Sequence, residues 1–232
     1  FQAAEVIRLE RETPLAAKGP QKMVFSVDGA MVPLVGGEWA EVKTLTIGEI
    51  EAPVLENGEW VVHSDQHSYF SRKAEASDFR RLALVETHAR GVEKADMIAA
   101  VTDGAEGAQG FIDFHCPQAI RILDFPHAGE RLSPIGQALW GHDTVPTKTW
   151  LAEQLHSLKH NGPEALLSEL KRLEQQHPQI DILSKNLAYL DKRSAHMQCP
   201  RFRLQDLPIG SGAMASFSDR WRRSGRGSGR FG

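Results

Sequence analysis

The chain has 232 residues, of which 41% are hydrophobic and 25% charged, and its formal net charge is −3. These are the values of an ordinary globular protein, long enough for one sizeable core or for one domain carrying a large insertion. The slightly acidic balance excludes binding to nucleic acid through overall charge. No apolar run approaches the roughly 20 residues of a membrane helix. The two cysteines, Cys116 and Cys199, fit neither a CxxC pair nor a zinc spacing, which favours reduced thiols in the cytoplasm over a disulfide.

In chain order, residues 1–22 are polar and hold Pro14, Gly19 and Pro20, the character of a connector from an upstream region. With Phe1 in place of Met and no leader visible, the expectation is a piece of a longer frame. Residues 23–32 form an apolar strand candidate. Residues 38–51 alternate around Trp39, Val42, Leu45 and Ile47, as a half-buried strand does. Asn57-Gly58 signals a hairpin turn, so residues 59–64 are expected as the third strand. Residues 77–91 carry Phe79, Leu82 and Val85 at helical spacing and end at Gly91. Residues 95–102 are the fourth strand, 106–116 a helix stopped by Pro117, and 119–124 a nearly continuous apolar strand suited to the centre of a parallel sheet. A helix is expected from Pro126 to Trp140.

Between Thr147 and Met197 the pattern becomes wholly helical. Three stripes follow one another: Trp150, Leu151, Leu155 and Leu158; Leu166, Leu167, Leu170 and Leu173; and Ile182, Leu183, Leu187 and Leu190. Gly162-Pro163 and His177-Pro178 separate them. Residues 200–208 are expected as a loop. The last stretch, 216–232, sets Arg220, Arg222, Arg223, Arg226 and Arg230 against Asp219 alone and is rich in glycine and serine, as a disordered tail is. Non-specific phosphate binding is its second reading.

Three hairpin-linked strands, then strands reached through helices, give an α/β fold with a mixed five-stranded sheet, flanking helices and an all-helical insertion, in the strand order of ribonuclease H. The expected parts are the connector 1–22, a core 23–145, the insertion 146–199, a return to the core 200–215 and the tail 216–232. In this order the first and fourth strands are neighbours. Each ends on a similar phrase, Val27-Asp28-Gly29-Ala30 and Thr102-Asp103-Gly104-Ala105. Asp28 and Asp103 therefore meet at one end of the sheet. Asp-Gly after a strand is a common turn. Two unpaired carboxylates together, however, repel unless a cation sits between them, and an all-oxygen site suits Mg²⁺ or Mn²⁺.

The ordered set of phrases from Met23 to Gly212 resembles the catalytic domain of bacterial insertion-sequence DDE transposases of the Kra-type group. It comprises Val27 to Leu34 followed by Gly36 to Leu45, Ser68-Tyr69-Phe70-Ser71, Leu84 to His88, Thr102 to Glu106, Arg121 to Ala128, Trp150 to His156 and Pro208 to Gly212. The resemblance implies a ribonuclease-H-like fold with a helical insertion, two-metal cleavage and joining of DNA, and transposon ends as partners. A homodimer or pairing with an intact transposase, and a cytoplasmic, nucleoid-associated location, go with it. Asp28 matches the first catalytic carboxylate and Asp103 the second. Asp124-Phe125-Pro126-His127 resembles an aspartate-x-x-histidine element, in which His127 contacts the scissile phosphate or positions a ligand. A helix cap is the other reading of that element. The family's third carboxylate falls at Ala215, which has no oxygen to give a metal, and Gly107-Ala108 replaces a bulkier apolar pair. The expected chain is thus an inactive transposase domain. The alternatives are a non-catalytic DNA-binding or regulatory remnant, and a nuclease on the same fold. His156 and His160, one turn apart, lack a third ligand. Glu106 and Glu130 are the nearby acids that could replace the lost one.

Overall fold

The computed structural model describes residues 18–211. Ala215, the arginine-rich segment 216–232 and most of the expected connector lie outside them. The described chain forms two compact units, one of residues 18–121 with Ser211, the other Ile122–Gly210.

The first unit is built on a mixed sheet. Strand β1 (Lys22–Pro33) is buried continuously from Met23 to Val27, as a strand covered on both faces must be. It pairs antiparallel with β2 (Trp39–Ile50) through a tight connection at Leu34–Gly37. Asn57-Gly58 does make a hairpin, with φ of 50° and 83°. Its strands, β3 (Val54–Glu56) and β4 (Glu59–Val61), form a separate two-stranded ribbon. The third strand of the main sheet is instead β5 (Ser64–Arg72), antiparallel to β2. It is mostly polar and buries only Phe70 fully, which is why its pattern gives no strand signal.

The expected helix 77–91 is two helices, α1 (Ala76–Leu82) and α2 (Leu84–Arg90), joined at the fully buried Ala83 and stopped at Gly91. Strand β6 (Met97–Thr102) then runs parallel to β1, as expected. Helix α3 (Glu106–His115) leads to β7 (Ile120–Leu123). The sheet order is β5-β2-β1-β6-β7. Strand β7 is therefore an edge, not a centre. Four residues long, with Arg121 in the middle paired to Asp113, it needs burial only at Ile122 and Leu123.

One face of the sheet carries Phe25, Val27, Leu45 and Ile47 against Phe79 of α1 and Phe111 and Ile112 of α3. The rings run in a chain: Phe70 to Phe79 at 5.9 Å, Phe79 to Phe111 at 5.3 Å and Phe111 to Phe25 at 5.7 Å between centroids. Burial of such side chains, worth roughly 1.5–3 kcal/mol each, is the main force holding helices on the sheet.

The second unit is all-helical beyond Leu123. Its helices are α4 (Phe125–Trp140), α5 (Val145–Asn161), α6 (Pro163–Gln176), α7 (Asp181–Asp191) and the short α8 (Cys199–Leu204). Helix α4 packs against α5 and α7, and the stripes from Trp150, Leu166, Leu170, Leu183 and Leu190 close one core with Leu132 and Ile135. Ile182 is the exception: it is exposed on the outer side of α7. Helix α8 replaces the expected loop at 200–208. Pro200 stands in its first turn, where its missing amide costs nothing, and Cys199 and Phe202 turn one buried face inward. Among the described residues no helix is long and apolar enough to cross a membrane.

Candidate functional site

The pairing of β1 with β6 sets Phe25 beside Ala100, an offset of 75 residues. The Ser26 hydroxyl donates to the Val101 carbonyl at 2.7 Å, so the offset holds one residue further on. Asp28 lies within β1, opposite Thr44 of β2, rather than at the strand's end as expected, and Asp103 directly follows β6. Both aspartates line one open cleft of about 200 Å³ in the first unit.

The cleft has an apolar floor of Val27, Phe79 and Phe111, and its mouth holds four charged residues, Asp28, Asp103, Glu41 and Lys43. Glu41 and Lys43 come from β2, where Gly29 faces Lys43 and Met31 faces Glu41. They form an ion pair with each other. The Glu41 carboxylate lies over Gly29, in the space a Cβ there would need. Glycine after Asp28 thus lets a third carboxylate approach the site, beyond any turn requirement. Gly107 and Ala108, the small pair at the start of α3, also line the cleft. A Cβ on Gly107 would meet open space. Their small size is what leaves the cleft open.

Each aspartate also does local work. Asp28 Oδ1 accepts from the Gly29 amide at 2.7 Å, and Asp103 Oδ1 accepts from the Ala105 amide at 2.8 Å. The Thr102 hydroxyl accepts from the Gly104 amide at 3.3 Å and from Gln109 at 3.4 Å. The turn between β6 and α3 is therefore pinned from both sides of Asp103.

His127 belongs to the second unit, in the first turn of α4. Its Nδ1 lies 3.1 Å from Glu130 Oε2, and its Nε2 accepts from Arg131 Nε at 3.2 Å. Asp124 occupies the N-cap position of α4, but its side chain makes no cap hydrogen bond. Its carboxylate stands beside Gly210, where a Cβ would come within 3.5 Å. Of the two acids considered as replacements, Glu130 is engaged with His127, and Glu106 is exposed at the start of α3 and does not line the cleft. The rings of His156 and His160 on α5 lie with centroids 4.4 Å apart, tilted by 39°.

Among the described residues no group of three or more histidines, cysteines and acids is arranged to hold a metal ion. The carboxylates of the cleft are the donor type that a hard cation takes, and Lys43 pairs with one of them, Glu41. Glu41 and Lys43 fall within the phrase Gly36 to Leu45, but nothing in that phrase singles them out as site residues. Their signal is the hairpin register: a turn centred on Gly36 puts Glu41 and Lys43 opposite Met31 and Gly29.

Both cysteines are buried free thiols. Burial pushes Cys116 up to about 12 and Cys199 up to about 11, so neither is a nucleophile at neutral pH. No protein-family model matches the chain, and no match to a curated protein was found.

Proposed function

We propose that the chain is the ribonuclease-H-like catalytic domain of a DDE-type transposase whose strand-transfer chemistry is lost with the third carboxylate, for which Ala215 stands. The observation that supports this reading is that Asp28 of β1 and Asp103, just after the parallel neighbour β6, line a single cleft. The sheet order β5-β2-β1-β6-β7 agrees with it, as do the helices within 146–199, read as the family's insertion.

Asp28 and Asp103 would hold Mg²⁺ or Mn²⁺, which in such sites activates a water or 3′-hydroxyl and steadies the leaving oxygen of a phosphodiester. The chain's own part is to fix the two carboxylates by their amide hydrogen bonds and to seat them over an apolar floor. The partner is DNA, at transposon ends, with a second copy or an intact transposase completing an assembly in the cytoplasm. A two-carboxylate site binds the cation weakly and does not join DNA ends.

Mn²⁺ titration followed by water-proton relaxation tests the site. Weak binding lost in both Asp28→Asn and Asp103→Asn is expected. Binding unchanged in both variants, or joining of DNA ends by the chain as it stands, would sink the proposal.

The second reading is a DNA-binding remnant that needs no metal. It is favoured by the Lys43 ammonium in the cleft, which opposes a cation entering there. Gel shifts indifferent to Mg²⁺ and to both substitutions would select it.

A further inference from the structure

The ribbon of β3 and β4 is closed at its base by the Glu51 amide, which donates to the His63 carbonyl at 3.0 Å, and is turned at Asn57-Gly58. Leu55 and Trp60 are directly opposed, so their side chains share one face, and they are 60% and 62% exposed. An exposed tryptophan is the kind of side chain that anchors an interface. Glu56 and Glu59 are opposed on the other face, and like charges so placed repel. The His63 ring lies 2.9 Å from Glu56. A two-stranded ribbon is marginal in water on its own, and this one adds an uncovered apolar pair and a pair of like charges to that cost.

The charge around Leu55 and Trp60 is of one sign. Residues 49–65 hold Glu49, Glu51, Glu56, Glu59 and Asp65 and neither lysine nor arginine. From elsewhere in the unit Arg90 reaches Glu49, at 3.8 Å. Such a field turns away a nucleic-acid backbone and a second acidic ribbon alike. It suits an occupant that is both basic and aromatic, because arginine pairs with carboxylates and stacks on an indole.

Residues 216–232 have that chemistry: their five arginines and one aspartate are interleaved with Phe217, Trp221 and Phe231. Ser211, just before them, belongs to the first unit. The ten residues from Gly212 to Trp221 reach up to about 35 Å when extended, roughly the diameter of a body of about 100 residues. The ribbon is therefore within range of the segment in the same chain.

We infer that the arginine-rich segment 216–232 docks on the β3–β4 ribbon of its own chain, its aromatic side chains against Leu55 and Trp60 and its arginines among the acids. The docking is independent of the metal reading of the cleft.

The test is limited digestion of the full chain by trypsin, which cuts after arginine. Cleavage within 216–232 is followed by mass spectrometry and compared with a synthetic peptide of the same residues. Its rate tracks the undocked fraction, so the segment in the chain should be cut about tenfold more slowly than the peptide. Trp60→Ala should speed the cut about fivefold. Glu51→Gln with Glu56→Gln should speed it about threefold, as should added salt in the parent. Trp221→Ala, set against its own matching peptide, should act like Trp60→Ala, and the two together should add little, because both remove one contact. Thermal midpoints show that each variant is folded.

A segment cut in the parent as fast as the peptide overturns the docking. So does protection that survives Trp60→Ala and the glutamine variants. Protection lost in Asp28→Asn or Asp103→Asn would put the segment in the cleft instead of on the ribbon. Protection that grows with chain concentration would put it on a second copy. Either result removes the inference.

Discussion

Replacing His115 with glutamine should flatten the acid side of the stability curve. His115 is 8% exposed and lies between the Phe111 and Phe114 rings, at 4.4 and 4.9 Å. Its Nε2 donates to the Arg80 carbonyl at 2.8 Å, and its Nδ1 lies 3.4 Å from the Thr87 hydroxyl. Burial lowers its pKa from 6.5 to about 4, helped by the charges of His88 and Arg80 and opposed by the Arg80 carbonyl bond. The folded state thus favours the neutral ring. Its contribution is fully present above pH 6.5 and is lost as the pH falls toward 4, because only the unfolded chain takes up the proton there. Between pH 7 and pH 4.5 this linkage amounts to about 2 kcal/mol, a large share of the 5–15 kcal/mol typical of a domain. Glutamine keeps a donor for the Arg80 carbonyl and does not titrate. Urea unfolding at pH 7 and pH 4.5 should show the parent losing about 2 kcal/mol more than His115→Gln, the carboxylates cancelling in the comparison. Equal losses in the two proteins would refute the buried neutral histidine.

Phe111→Ala removes the ring that joins Phe25, Phe79 and His115 and should destabilise the first unit by about 3–5 kcal/mol in urea melts; a loss below about 1 kcal/mol would mean that the aromatic chain does not hold α3 on the sheet. With both thiols buried and their pKa values raised, a thiol reagent at pH 8 should modify neither in the native chain and both in guanidinium. Rapid native labelling of either would contradict the packing around it.

What the sequence makes legible follows burial. β1 is buried from Met23 to Val27 and β6 from Ile98 to Thr102, so their apolar runs stand out, and the expected strand order makes them neighbours. The helical stripes of α5, α6 and α7 are legible for the same reason, down to Leu166, Leu167, Leu170 and Leu173, all of which are buried. Elements at edges escape. β5 needs little more than Phe70 to hold its place, and β7 tolerates Arg121 in its middle. The joint at Ala83 has neither glycine nor proline to announce it, because a buried alanine can turn a helix without either. Asn57-Gly58 signals its hairpin correctly, yet a turn carries no information about which sheet its strands join. Glu41 and Lys43 reach the cleft through register across a hairpin, a relation between strands that no local spacing expresses.

Lys43 offers the sharpest separation of the two readings of the cleft. A turn aspartate and a metal-binding aspartate can make the same amide bond, because accepting one hydrogen bond leaves a carboxylate's charge in place. Neither the Gly29 nor the Ala105 contact therefore decides between them. An ammonium in the mouth does discriminate, since it opposes any cation that enters. The Lys43 side chain is only 18% exposed and is paired with Glu41, so its charge is little screened within the cleft. Lys43→Gln removes it and frees the Glu41 carboxylate beside Gly29. If the aspartates take a divalent ion, the variant should bind Mn²⁺ more tightly by on the order of 1 kcal/mol, about fivefold. Adding Glu41→Gln to that variant should cancel part of the gain, because the released carboxylate supplies it. Relaxation titrations of the parent, the single variant and the double variant measure all three affinities. An unchanged affinity in Lys43→Gln would mean that no cation sits in the cleft, and the two aspartates would then serve only their local amide hydrogen bonds.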